Sequence, residues 1–328
     1  MSETRSTAPL QTDHSEAVAI GVDIGGTAIK AAFVGLRGDL LESFHQDTPR
    51  SASSVRDFIR SVLRRATVPP LGIGIGCKGV IDAASTRVNR LPGDLNFLEG
   101  FLLREVVDID NLPLSADNDA RAALVGEVLW GAARQRRNVL LLTLGTGVGA
   151  AALVDGVIVR GATGAACHLG HITLDLRGGL CICGNYGCLE TCFSSRAIES
   201  AYFAHMHRAS PTRLSLDAAG RVPTTEAIFQ AAADGDPSAQ RVLDIAFESL
   251  TAALISFLHI FDPEILILGG NIAAAGPQLL SRLQNEVARR TQVLLGRVVP
   301  IVLQQQIGYG GVAGAAGLVF LQQGRLTL

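Results

Sequence analysis

Charge is scarce in this chain and almost cancels. Only 18% of its 328 residues are charged, with 28 basic against 30 acidic side chains and a formal net charge of −2. Such a balance offers no global attraction to nucleic acid or to an anionic membrane, so neither is expected as a partner. A long hydrophobic run is also missing. Residues 1–17 are polar and mixed, without the apolar core of a signal peptide. The most apolar stretch, Leu250 to Leu268, is broken by His259 and by Asp262-Pro263-Glu264, whereas a membrane span needs about 20 uninterrupted apolar residues. No G-x-x-x-x-G-K-[ST] pattern occurs, which excludes the P-loop class. With 48% apolar residues the chain is neither disordered nor a coiled coil. Its length suggests two domains, and a cytoplasmic location is expected.

Glycine, by contrast, is abundant: 36 residues without a collagen period. That excess points to tight turns and close backbone approaches. Strand-like and helix-like runs alternate from Val18 onward, which makes the class α/β. Strands are expected at Val18 to Ile24, Ala28 to Val34, Leu71 to Ile75, Val139 to Leu144, Ala150 to Val154 and Ile265 to Leu268. Helices are expected near Ser53 to Ala66, Glu99 to Val107, Asp119 to Trp130, Pro237 to Phe261 and Gly310 to Leu321. The stretch from Arg160 to Cys192 is too rich in glycine and cysteine for regular structure. Two glycine hairpins about 120 positions apart suggest a degenerate internal repeat, one copy per domain. The expected division is a disordered tail at 1–17, a small α/β domain at 18–117 completed by a C-terminal helix at 312–328, and a large α/β domain at 118–311 holding the loop 167–192. Hinges are expected near Ser115 to Asn118 and Gly308 to Gly311.

The first hairpin turns at Asp23-Ile24-Gly25-Gly26-Thr27, with Lys30 on the returning strand. Glycine backbone N–H groups and a threonine hydroxyl can approach a phosphate closely, and an aspartate at a strand end can hold a hydrated magnesium ion. An ordinary hairpin with a local aspartate hydrogen bond would read the same way. A second donor-rich turn at Gly145-Thr146-Gly147 favours the phosphate reading, because two such turns can grip a polyphosphate from both sides. Gly269-Gly270, closing a buried strand, offers a third surface, on which a flat base could lie.

Five of the six cysteines fall between Cys167 and Cys192. His171, Cys181, Cys183 and Cys188 form H-x9-C-x-C-x4-C, a donor set suited to tetrahedral structural zinc, rather than a secreted disulfide framework. Gly184 and Gly187 would let the loop fold back so that the sulfurs converge. Cys167 and Cys192 are read as small buried residues.

Together these motifs carry a family resemblance. Asp23 to Thr27, Leu144 to Gly149 and Leu268-Gly269-Gly270 resemble the two-domain actin-like ATPase fold (ribonuclease H-like), with its cleft between domains. Cys181-Ile182-Cys183-Gly184-Asn185-Tyr186-Gly187-Cys188-Leu189-Glu190, preceded by Gly170-His171, resembles the ROK family of bacterial sugar kinases and sugar-responsive repressors. The resemblance runs from about Val18 to Leu318. It implies ATP, Mg2+ and structural Zn2+ as cofactors, a small-molecule sugar as substrate, and a homodimer. It places the catalytic base at Asp119 of the Asn118-Asp119-Ala120 step, where residue preferences alone would favour simple helix capping. It implies that Asn118 orients the sugar, that His171 is both zinc ligand and sugar contact, and that Glu190 is a sugar contact. Gly79, in a Lys78-Gly79 pair where the family has Pro-Gly, and Asn96 are the corresponding positions in the two substrate loops.

One departure stands out. The family's Gly-Glu-x-Gly-His appears here as Cys167-His168-Leu169-Gly170-His171. His168 replaces a sugar-binding glutamate, so either the favoured hydroxyls change or His168 is a packed histidine beside the zinc. The expected function is an ATP-dependent kinase acting on the primary hydroxyl of a hexose or N-acyl hexosamine. The alternative is a non-catalytic sugar sensor or regulator; a repressor's helix-turn-helix would need more chain than the 17 residues ahead of Val18.

Overall fold

The computed structural model describes residues 17–109, 112–207, 212, 214–216, 220–274, 277–305 and 308–328. Apart from Ala17, the expected N-terminal tail lies outside them.

The chain opens with the hairpin of β1 (Val18–Ile24) and β2 (Ala28–Gly35), whose residues are nearly all buried. β3 (Leu40–Asp47) adds an exposed edge. Helix α1 (Ala52–Leu63) starts at Ser51, whose hydroxyl accepts from Ser54 N, and buries Val55, Phe58, Ile59 and Val62 at helical spacing. β4 (Ile73–Cys77), the small hairpin β5 (Val80–Asp82) and β6 (Arg87–Arg90), α2 (Leu103–Val107) and β7 (Leu114–Asn118) follow. The sheet order is β3-β2-β1-β4-β7, with β1, β4 and β7 parallel.

After α3 (Asp119–Trp130) the same plan recurs. β8 (Val139–Leu144) and β9 (Val148–Val154) make a hairpin edged by β10 (Val157–Ile158). The irregular loop ends in α4 (Leu189–Cys192), then come α5 (Ser195–His207), α6 (Thr225–Ala233) and α7 (Pro237–Phe261). β11 (Ile265–Gly269), α8 (Asn271–Ala274), α9 (Pro277–Leu295), β12 (Ile301–Leu303) and α10 (Gly310–Gln322) complete the chain. The second sheet runs β10-β9-β8-β11-β12, again a hairpin followed by two parallel strands. The repeat suggested by two glycine turns is thus a repeat of whole sheets. α7 is long and apolar enough to cross a membrane, but Leu243, Phe247, Leu250, Leu254 and Phe257 face the core under the second sheet.

α3 and α10 lie between the sheets. Val312, Ala316, Val319 and Phe320 of α10 pack on Ala19, Ala32 and Val34 of the first sheet. Ala122, Val125 and Val128 of α3 pack with Leu141, Ala151 and Ile267 of the second. The helices cross where a side chain at Gly314 would fall on the Ala122 carbonyl.

Three expectations differ from the structure. The C-terminal helix expected at 312–328 is α10, which runs from Gly310 to Gln322 and ends there. Glu99 to Val107 is not one helix: Asn96–Leu98 is a 3-10 turn, Gly100 takes φ +84°, Leu102 bridges to Arg87, and only Leu103–Val107 is helical. Residues 101–102 are drawn into extended pairing beside β6, which overrides their helical spacing. Ser115 to Asn118, expected as a hinge, is hydrogen-bonded strand within β7.

Candidate active site and metal centre

Parallel pairing aligns Ile24, Cys77 and Asn118 at the C-terminal ends of β1, β4 and β7. In α/β sheets, ligands bind beyond those ends. Asp23 sits one step back, and Asp119 opens α3 directly after β7, so register brings together two carboxylates distant in sequence. Their proximity is electrostatically evident. Burial, then the charge of Asp119, push the Asp23 carboxyl up to about 7, while Lys30, its cross-strand partner, pulls it down. A carboxyl so placed is costly to ionise unless a cation joins it, which fits a divalent metal carried in with phosphate.

This makes a pH-dependent stability effect. Between about pH 4 and pH 7 folded Asp23 keeps a proton that the unfolded chain has released, so its contribution to stability falls as pH rises through that window. Asp23→Asn is therefore expected to raise Tm by a few degrees at pH 8 without metal or nucleotide, and by much less at pH 5. Scanning calorimetry at both pH values checks this; an equal shift at both would remove the assignment.

The first glycine turn follows Asp23 directly, and the second leads into Gly149, where a Cβ would lie 3.4 Å from the Ala120 side chain next to Asp119. Gly25 N donates to Ala28 O across the first turn, and Thr48 Oγ1 donates to Gly25 O at 2.7 Å. Gly26 and Thr27 are exposed at its tip, with Lys78 Nζ 3.9 Å from where a Gly26 Cβ would be. In the second turn Gly145 N donates to Gly147 O, leaving Thr146 exposed. Glu190 closes on it: Oε2 accepts Val148 N at 2.9 Å and leaves no room for a side chain at Gly147. Gly270, at φ +87°, packs on the Leu144 carbonyl, so the third glycine surface adjoins the second. Lys30 Nζ donates to Gly308 O at 2.8 Å and lies 5.5 Å from the Tyr309 ring centroid. It ties β2 to the start of α10 instead of standing open.

Asn118 caps α3, its Oδ1 accepting from Ala120 N at 3.0 Å, and its Nδ2 donates to Gly79 O at 3.0 Å. The capping reading holds, and the same side chain ties α3 to the Gly79 loop. His168 stacks at 22° on His171, with centroids 6.2 Å apart. Burial, then Arg121 and His171, hold its imidazole below the usual histidine range, with Asp119 opposing. His168 Nε2 is buried without a partner among the described residues. Asn96 stands apart: it is exposed at the start of the 3-10 turn, and its loop meets the cysteine loop through Gly93, whose Cβ would lie 3.5 Å from Ile182.

The ligand atoms of His171, Cys181, Cys183 and Cys188 all lie within 4.8 Å of one another. Cys183 Sγ and Cys188 Sγ are 3.6 Å apart, and Cys181 Sγ is 3.5 Å from His171 Nδ1. A zinc tetrahedron with Zn–S about 2.3 Å and Zn–N about 2.0 Å has edges of roughly 3.5–3.8 Å, so the donor set fits that ion. Burial, with Cys183 and Cys181 beside it, pushes the Cys188 thiol up to about 12; a cation at the centre would favour its thiolate. The fold-back depends on Gly187 at φ +62°, where a side chain would fall on the Asp175 carbonyl. Asn185 Nδ2 supports the site from outside, 3.6 Å from Cys188 Sγ and 2.9 Å from Thr173 Oγ1. Cys167 is buried, as expected, whereas Cys192 is only half-buried.

Sequence reasoning missed the buried cluster behind Asp119. Asp117, fully buried, receives Arg121 Nη1 at 3.0 Å and Arg160 Nε at 2.8 Å. The i,i+4 acid–base spacing of Asp117 and Arg121 was its one local signal.

The paired sheets with α3 and α10 between them define the actin-like ATPase fold. The chain belongs to the ROK family, whose model matches residues 19–322. It is similar to a glucokinase of Thermotoga maritima, 30% identical over 92% of this chain and 96% of that protein. It is also similar to a xylose repressor of Caldicellulosiruptor bescii, 28% identical over 86% of this chain and 73% of that one. Among solved structures, a ROK glucokinase from Streptomyces griseus, in complex with glucose and AMPPNP, matches with a TM-score of 0.80 at 30% identity, over 92% of this chain and 99% of that chain.

Proposed function

We propose that the protein is an ATP-dependent kinase that phosphorylates the primary hydroxyl of a hexose or N-acyl hexosamine, working as a cytoplasmic homodimer. The observation carrying this reading is the convergence of Asp23, near the end of β1, and Asp119, directly after β7, on either side of β4 and beside the first glycine turn. A sensor needs to bind sugar but has no need of a second carboxylate there. The similarity to glucokinases of Thermotoga maritima and Streptomyces griseus supports it.

In this reading the first sheet with its helices, residues 18–117 and 312–328, closes on 118–311 around the substrates. Gly25, Gly26 and Thr27 on one side, and Gly145, Thr146 and Gly147 on the other, hold the phosphates, with Gly269-Gly270 against the base. Asp23 would hold magnesium, which when bound offsets phosphate charge. Asn118, His168, His171 and Glu190 orient the sugar, with Gly79 and Asn96 in the loops around it. Asp119 accepts the hydroxyl proton late, as the sugar oxygen forms its bond to the γ-phosphorus and the bond to the β-phosphate oxygen breaks. Alignment and charge stabilisation supply most of the acceleration. Zinc on His171 and the three cysteines would fix the backbone that carries His171 and Glu190.

The test is sugar-dependent ADP release over a panel of hexoses and N-acyl hexosamines, with polyphosphate as a second donor. Release that no sugar stimulates, alongside measurable sugar binding, would instead favour a non-catalytic sensor, a reading that the likeness to a xylose repressor keeps in view. Within the kinase reading His168 sets specificity: a neutral imidazole offers one donor and one acceptor where the family's glutamate only accepts. His168→Glu is expected to shift the kcat/KM ratio toward glucose by about tenfold, the scale of one altered polar contact. An unchanged substrate ranking would leave His168 as a packed histidine.

A further inference from the structure

The buried cluster behind Asp119 has features that packing alone does not require. Arg121 is 1% exposed and lies in the first turn of α3, where the helix dipole disfavours a cation. Asp117 compensates it but is itself shared: one carboxylate receives two guanidinium groups, Arg121 at 3.0 Å and Arg160 at 2.8 Å, as well as Asn118 N at 2.8 Å. Arg121 Nη2 then reaches across to two carbonyls of the following segment, Gly164 O at 2.7 Å and Ala166 O at 2.9 Å. Arg160 fastens the same segment, its carbonyl accepting Ala166 N at 3.1 Å. The segment continues through Cys167, at φ +62°, into His168.

One guanidinium therefore joins the end of β7, the start of α3 and the backbone leading to His168. Asp119 is two residues from Arg121 on one side of this joint, and His168 is two residues from Ala166 on the other. The guanidinium makes these bonds from two nitrogens of one rigid fork, Nη1 to Asp117 and Nη2 to the two carbonyls; a lysine ammonium is a single point of charge and cannot occupy both places.

We propose that Arg121, held by Asp117 and Arg160, is a positioning residue: it clamps the 164–168 segment against the first turn of α3, and so sets the spacing between Asp119 and His168 across one bound sugar. The inference rests on the kinase reading for the identity of that sugar. Arg121 touches no substrate itself. Its removal is felt as a loss of sugar affinity and alignment, while the nucleotide side, built on the glycine turns, is left alone.

Arg121→Lys keeps the charge and removes the fork; Arg160→Lys alters the more exposed arm, 38% accessible, and serves if the first variant does not fold. Sugar affinity is measured by calorimetry, independently of turnover, beside KM for sugar and for ATP and the Tm. Arg121→Lys is expected to weaken sugar binding at least tenfold and to lower kcat/KM for sugar about a hundredfold, with KM for ATP within twofold. Arg160→Lys should move the same quantities by a smaller factor. Unchanged sugar affinity in the folded variants, or an equal rise of both KM values with a fall in Tm, overturns the proposal. A wild-type protein that binds sugar without phosphorylating it overturns the kinase reading alone, and the affinities still decide the role of Arg121. One that binds no sugar overturns both.

Discussion

Asp119→Asn is expected to lower kcat by about a thousandfold or more while sugar affinity stays within about fivefold, since a positioned general base contributes typically 10²–10⁴ in rate. The isosteric amide keeps the contact to Ala120 N, 2.9 Å from Asp119 Oδ1, so the first turn of α3 and the Asn118 cap are preserved. What is lost is the acceptor for the sugar's hydroxyl proton. The same substitution removes the charge that raises the Asp23 carboxyl, so metal-dependent nucleotide binding should hold or improve. ADP release and calorimetry on one preparation separate the two effects. Turnover at the wild-type rate would take Asp119 out of the chemistry.

The second large effect is expected at the metal centre. Metal analysis should find one zinc per chain, and Cys181→Ser should lose it, lowering Tm by at least about 10 °C, because structural zinc contributes many kcal/mol of folding free energy. Activity should fall further than stability explains. His171 lies in the ligand set and Glu190 two residues beyond Cys188, and Glu190 Oε2 closes the turn at Gly147 and Val148. Freeing the loop thus releases His171, Glu190 and the turn at Gly147 together, which in the kinase reading loosens sugar and phosphate contacts at once. A metal-free protein with unaltered Tm and turnover would refute the ligand assignment.

Much of this site could be read from local pattern. The hairpin of β1 and β2, the stretch Asp119–Trp130, the long helix Pro237–Phe261 and the four-residue metal set were each visible, because hydrophobic period, capping residues and ligand spacing are properties of neighbouring residues. The outer strands were not. β3 is mostly exposed and carries no clean alternation, and β12 spans three residues, so both owe their strand form to a neighbour's edge. The helix expected from Glu99 failed for the same reason, since pairing beside β6 claimed residues with helical spacing.

By itself the chain's order of residues determined the α/β class, the glycine turns and the spacing of the four candidate metal ligands, while Asp119 became a candidate base only through the family resemblance. Only tertiary structure decided that Asp23 and Asp119 share one electrostatic neighbourhood, that Lys30 is held by Gly308, that Glu190 closes the second glycine turn, and that Arg121 joins α3 to the segment before His168. Each of these is set by strand register or by a bond between residues far apart in the chain, and no local preference encodes which distant partner a side chain will meet.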